Sequence, residues 1–590
     1  MSERSLHFSI ILLLLLASLT SSLSGQDVGK SLERLGRLSE QQLNITGGIR
    51  FNTNFYATSG FNERRDPFQW TARARLNFNF LGVNAPFTFA FSDANQVFNL
   101  PSYTFTGISP RYKWATLHAG DRSLNLSRFT MSGISFRGAG IELEPGRFRF
   151  AAFSGVLNRA LLKDLNAVGN LNGYFQRNAW GGRIGYEGNT GAVTLALFSA
   201  NDDDENNPLT TAGNLLTPLA NKVVSLSGRQ AVGKKLAIRA ELAHSATNTD
   251  KTAPALNASE QSTSNRLLGL FTPNQSIITG QALDLSANYS LKKSNLNFGY
   301  ERINRGFRTL GALFFNNDSE RFTTGLSRSF FAGKLNLIAN GGLERLNLDA
   351  QDNQTTDRII ASLTANYRPT DRWNLNGTYS NFRNDTKLRG RTDLVNPVDS
   401  IFLAQLTQSL SGTLTRTFGA KERPAVLTFA LNHQRANNII NDEVNPTSMT
   451  RFTNAMLGFT AGDPAGGLRY DAAISTSFTM LAGFNSRTFS PSAGVSNSFL
   501  NNQLTTAVRT ALSLVTVPDF PERDNTVFNL ALTAGYKLRN AHTLNASVNY
   551  INRFGAEQDI RNFNEWYGSL AYGFRFGGKL FGAKSVLTSQ

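Results

Sequence analysis

From about Gln42 onward, apolar and polar side chains alternate along the chain with a period of two. In Phe68–Phe80 one parity holds Phe68, Trp70, Ala72, Ala74, Leu76, Phe78 and Phe80. The other holds Gln69, Thr71, Arg73, Arg75, Asn77 and Asn79. Leu283–Leu291 and Ile359–Tyr367 repeat the arrangement, as do Asn529–Tyr536 and the closing stretch Asn562–Phe576. Neighbouring side chains on a β-strand point to opposite faces, so each stretch predicts a strand with one apolar and one polar face. The polar face is mostly Asn, Ser, Thr and Gly, which suits a hydrated interior. The apolar strips often end in Phe, Tyr or Trp, which suits a membrane–water boundary.

The connections alternate in length. Short turns are expected near Gly82–Ala85, Glu144–Gly146, Gly188–Gly191, Val232–Lys234, Lys292–Lys293, Phe331–Gly333, Pro369–Asp371, Gly419, Gly462–Gly466, Asn501–Asn502 and Arg539–Ala541. A twelfth, near Ala119–Arg122, fits the longer gap after the first. Longer polar connections separate them: Asn201–Ala220, Ser245–Ile278, Asn304–Ser319 and Asn384–Asp399. Short turns at one end and long loops at the other are the mark of outer-membrane barrels. The spacing predicts an all-β, transmembrane, antiparallel up-and-down barrel of about 26 strands, or about 24 without the twelfth turn. The barrel is expected over residues 42–576, with a short segment at 26–41 before it and a tail at 577–590 after it.

Arg4 precedes the apolar block Phe8–Leu19, and the small residues Ser21, Ser22, Ser24 and Gly25 follow it. That order reads as a cleaved signal peptide over residues 1–25 and predicts export to the cell outer membrane. Outer-membrane lipid and the barrel assembly machinery are then the expected partners. Composition agrees. The 590 residues include no Cys and 44 Phe, which excludes a disulfide scaffold and leaves ample apolar surface.

Three stretches add a resemblance: Tyr112–Arg122 (YKWATLHAGDR), Phe136–Ala160 (FRGAGIELEPGRFRFAAFSGVLNRA) and Gly306–Asp318 (GFRTLGALFFNND). They resemble large, functionally unassigned outer-membrane barrels of the Bacteroidota, and TLHAGDR also resembles the strand ends of general porins. The resemblance implies fold and location, and no substrate.

No chemistry-bearing motif stands out. His118, His244, His433 and His542 are far apart, and neither G-x-S-x-G nor H-E-x-x-H occurs. Asp202–Asn206 lacks the Gly and distal Glu of a calcium loop, so it reads as a solvated acidic loop. Arg and aromatic residues fall on opposite parities, which argues against a nucleic-acid groove. No catalytic residue, cofactor or metal site is expected. A large plug is also disfavoured. Strands begin soon after the expected cleavage point, and the longest connection, Ser245–Ile278, is about 34 residues.

A formal net charge of +17 favours anions, either in the lumen or at anionic headgroups. Parity offers Arg73, Arg75, Asp284, Asn288, Glu301, Arg358, Arg372, Asn374, Asn376 and Lys537 as pore-lining residues. Two roles stay open. One is a porin-like channel for small hydrophilic solutes. The other is a plugged barrel that anchors or helps export a surface protein or lipoprotein. Phe307, Leu310, Leu313, Phe314 and Phe315 are unusually apolar for a solvated loop, so they become candidates for a constriction or a docking site.

Overall fold

The structure is a computed structural model. It describes residues 43–93, 105–160, 175–204, 217–267, 269–312, 316–349, 351–352, 354–388, 401–420, 422–441, 443–463, 467–539, 541–555 and 562–579. The expected signal peptide, the segment before the barrel, Leu313, Phe314, Phe315 and the tail beyond Lys579 lie outside the described residues.

Strand pairs with strand in chain order, always antiparallel, until the last strand returns to the first. Asn44–Ser59 pairs with Phe563–Lys579 along its whole length, from Asn44↔Lys579 to Ser59↔Asn564. That seam leaves no free edge, as a sheet in lipid requires. The wall has 26 strands. Phe105–Ile108 and Arg111–Tyr112 form one of them, interrupted at Ser109 and Pro110, where the proline has no N–H for the ladder. Glu443–Val444 is only a short addition to the end of Ala425–Ile440. The remaining regular structure described is a two-residue parallel ladder and single 3-10 turns such as Pro446–Ser448.

Eleven expected short turns fall at or beside places where consecutive paired strands reverse; residues 464–466 and 540 in two of them lie outside the described residues. The twelfth differs in place. The chain reverses at Lys113 and Trp114, with Lys113 at a φ of 51°. Ala119–Arg122 lies inside the strand Ala115–Ser123. Gly120 there has a φ of 88°, so its Gly-Asp pair irregularises a strand instead of ending one. Asn384–Leu388 also differs from expectation. These residues, polar up to Lys387, extend the strand Trp373–Leu388, paired with 354–358 and with 401–405, because backbone pairing is indifferent to side-chain polarity; the rest of that expected loop lies outside the described residues. The final strand runs three residues past Phe576.

One parity of the wall carries exposed apolar side chains all the way round, including Phe51, Ile184, Leu226, Leu242, Phe298, Ile474 and Leu570. Phe80, Tyr112, Trp114, Phe148, Tyr186, Tyr289 and Phe331 gather near the short-turn end. Apolar surface left bare on this scale is costly in water, so this face meets lipid, with an aromatic belt at one boundary. The other parity faces the lumen.

Candidate functional site

Two connections turn inward. Residues 124–134 leave the strand Ala115–Ser123, which is only 9 residues long, and fold against the lumen side of the wall. Residues 304–312 leave Ser294–Ile303 and meet them there. The two run parallel for one short ladder, Gly311↔Met131 and Ala312↔Ser132. Thr309 Oγ1 donates to the Thr130 carbonyl at 2.7 Å. The Phe129 and Phe307 rings pack edge to face, 5.7 Å apart, and both are fully buried.

Beneath this pair the lumen face is apolar: Phe136, Phe153, Phe198, Val223, Ala243, Ala282 and Ile303 form one cluster with Phe129, Met131 and Phe307. Burying each large side chain is worth roughly 1.5–3 kcal/mol, enough to hold a short loop on the wall. Polar contacts set the register. Asn221 Nδ2 donates to the Arg308 carbonyl at 2.9 Å, and its Oδ1 accepts from Leu310 N at 3.1 Å. Gly280 allows the closest approach: a Cβ there would overlap the Phe307 backbone nitrogen.

Three lumen-facing carboxylates receive the tip of the first inner loop. Glu241, Asp284 and Glu301 are direct cross-strand partners. The Arg128 guanidinium pairs with both Asp284 and Glu301, and the Phe129 N–H donates to Glu241 at 3.1 Å. The row continues around the wall as Arg321, Glu344 and Arg358. Glu301 pairs with Arg321 at 2.6 Å and Glu344 with Arg358 at 3.0 Å. Asp284 and Glu301 therefore anchor a loop instead of lining open lumen.

The other sequence-derived positions separate. Arg73 and Arg75 point into the lumen and are exposed. Asn288, Asn374, Asn376 and Lys537 share the lumen parity, and Asn376 donates to Asn366 at 2.7 Å. Arg372 departs from expectation: it lies in the turn between Gln354–Thr370 and Trp373–Leu388, on the rim. Phe307 and Leu310 belong to the inner loops and the cluster beneath them, not to an exposed loop surface. Arg128, Phe129, Met131 and Glu241 escaped the sequence reading.

Outside the lumen, residues 249–267 and 269–276 fold back over the outer wall. Leu267 and Phe271 pack on Ala246 and Val224, and Lys222 Nζ donates to the Leu270 carbonyl at 2.5 Å. In the acidic stretch beside them Asp202 and Asp204 meet cations, while Glu205 and Asn206 lie outside the described residues. Asp202 is buried against Arg177 at 2.7 Å, and Asp204 accepts from Lys251 at 2.6 Å. The Lys251 ammonium holds the Asp204 carboxyl below its usual range.

Two histidines meet a serine among the described residues: His244 Nε2 lies 3.2 Å from Ser264 Oγ, and His118 has a further carboxylate partner. Ser109 Oγ lies 2.9 Å from His118 Nδ1, and His118 Nε2 lies 3.2 Å from Glu142 Oε1. The Ser109 N–H is committed to the Pro86 carbonyl at 3.0 Å. This chain of bonds ties the Ser109–Pro110 interruption to its neighbouring strands.

Fold and lumen together define the class: a membrane-spanning β-barrel with a polar lumen covered on one side by two inner loops. No protein-family model and no curated protein matches the chain. Among solved structures it is similar to the P pilus usher PapC translocation pore, at 11% identity and a TM-score of 0.37, over 90% of this chain and 100% of that one. It is also similar to BauA, the ferric preacinetobactin receptor of Acinetobacter baumannii, at 10% identity and 0.35, over 90% and 80%. A third is Pseudomonas aeruginosa OpdK with vanillate, at 10% and 0.28, over 61% and 94%. Superpositions this loose carry no argument about this chain's role.

Proposed function

We propose that this protein is an outer-membrane channel for small hydrophilic solutes, with a preference for anions. The observation that carries the reading is the contrast between two sides of the lumen. The carboxylates Glu241, Asp284, Glu301 and Glu344 are each engaged by a cation or an N–H. Arg73 and Arg75 face the lumen with no carboxylate partner among the described residues. Barrels of 16–18 strands already leave an aqueous channel, so a wall of 26 leaves a wider one for the inner loops to narrow. The short-turn end faces the periplasm in this reading. The proposal gives no residue a catalytic role.

Single-channel conductance of the purified barrel in a planar bilayer tests the reading, with reversal potential in a salt gradient giving selectivity. A stable, anion-selective conductance supports it. A closed barrel that co-purifies with a surface protein or lipoprotein would replace it with the anchoring role. The inner loop pair is the feature that favours this second reading, because it already fills part of the lumen.

A further inference from the structure

On the lumen side of the closing seam, four arginines stand together. Arg50 is the direct cross-strand partner of Arg73. Gly48 is opposite Arg75 on one neighbour and Arg575 on the other. Adjacent strands are about 4.8 Å apart, and alternate residues on one strand about 6.8 Å apart. The four Cα atoms therefore fit a patch about 12 Å across. The Arg575 side chain lies over Gly48, its Cγ 3.6 Å from where a Cβ would stand. Arg50 Nε donates to Asn52 Oδ1 at 3.0 Å, which steadies one guanidinium and leaves its terminal nitrogens free to donate. Lys537 lies in the same cross-strand row as Arg50 and Arg73, reached through Thr543 and Gly573.

Like charges directly opposite one another destabilise a sheet. Several lumen arginines elsewhere in this barrel are balanced, Arg321 by Glu301, Arg358 by Glu344 and Arg509 by Asp471. Around the seam no such balance exists among the described residues. Over the six strands from Asn525–Leu538 through the seam to Val83–Ser92, the single lumen-facing carboxylate is Glu565. It lies opposite Thr58, eight positions up the strand from Arg50, or about 26 Å away. The patch is therefore an array of guanidinium donors missing its acceptor.

We propose that Arg50, Arg73, Arg75 and Arg575 bind compact oxyanions carrying two or more charges, carboxylate or phosphate in kind. Guanidinium forks match both groups bidentately, and a ligand with two acidic groups can engage two forks at once. A monovalent anion engages only one. This deepens the channel reading by naming its solute class, and it relies on that reading for solute access.

The test is titration calorimetry on the detergent-solubilised barrel, with citrate, inorganic phosphate, acetate and chloride as probes, alongside conductance in the bilayer. Citrate should bind at least about tenfold more tightly than acetate, and its binding should weaken with added salt. The double substitution Arg73→Gln with Arg75→Gln should weaken citrate binding about tenfold, as should Arg50→Gln with Arg575→Gln. Arg416→Gln, on the outer face beside the Trp373 and Phe418 rings, should leave it unchanged. If the Gln variants do not fold, the matching Lys variants keep the charge, lose the fork, and should still bind citrate more weakly than the parent. Equal affinity for citrate and acetate, or full citrate affinity in folded variants, overturns the site. Citrate binding without conductance keeps the site and removes the channel reading. Conductance without citrate binding does the reverse.

Discussion

The two halves of this barrel are built differently. Through Ala115–Ser123, Ser135–Leu143 and Phe148–Asn158 the strands are 9 to 11 residues long. Across the barrel, Gln354–Thr370, Trp373–Leu388, Ile401–Phe418 and Ala425–Ile440 run 16 to 18 residues. The short half sends residues 124–134 into the lumen and becomes apolar on both faces beneath the inner loops. The tall half spends its extra length on wall and keeps a lumen face mostly of Ser, Thr and Asn, with Ile360, Phe382 and Leu403 among them. Ser380 and Ser409 lie 2.5 Å apart there, and Thr364 and Thr378 lie 3.3 Å apart. Strand length and lumen polarity are therefore linked. A loop that leaves the wall early can reach the lumen, and the wall beneath it is sheltered from water.

The largest effect that would break this comparison comes from emptying the inner core. Phe129→Ala or Phe307→Ala should each cost about 3–5 kcal/mol of loop docking. Either should raise single-channel conductance and expose the inner loops to protease. Unchanged conductance with a protected loop would show that docking does not depend on these rings. Next in size is Gly280→Val, which places a side chain against the Phe307 backbone. It should displace residues 304–312, shown by faster amide exchange there while the tall half stays protected.

Arg128→Gln comes third. It removes the partner of Asp284 and Glu301, a change worth about 1–3 kcal/mol to loop docking. Adding Asp284→Asn and Glu301→Gln should restore part of the loss, and a triple variant no better than the single one would mean that the pairing does not hold the loop. The smallest effect is expected in the tall half. Arg358→Gln should alter stability by about 1 kcal/mol, because the Arg358 guanidinium is partly exposed to the lumen and holds no inner loop, although its partner Glu344 is largely buried. A shift in the unfolding midpoint comparable to that of Phe129→Ala would erase the distinction between the halves.

Much of the tall half is legible in sequence because each strand there has one wet face and one lipid face. Ile359–Tyr367 reads correctly from parity alone. Arg73 and Arg75 fall on the lumen side for the same reason. The short half resists that reading. In Gly191–Asp202 the run Leu195, Ala196, Leu197, Phe198 is apolar on both parities, and that was the available signal that something covers its inner face. Arg128 and Phe129 sit in an eleven-residue connection that has no pattern of its own. The turn at Lys113 and Trp114 was obscured by Gly120 and Asp121, whose composition says turn while their backbone remains in the ladder.

By itself the sequence determined the fold class, the approximate strand number and the face that each regular strand turns to lipid. Those properties follow from a local period of two, repeated along the chain. The tertiary structure alone decided which connections enter the lumen, that Asp284 and Glu301 serve as an anchor, and that four arginines meet at the seam. Arg50 and Arg575 are more than five hundred residues apart in sequence. They become neighbours only because the last strand hydrogen-bonds to the first, and closure is a property of the whole sheet rather than of any one segment.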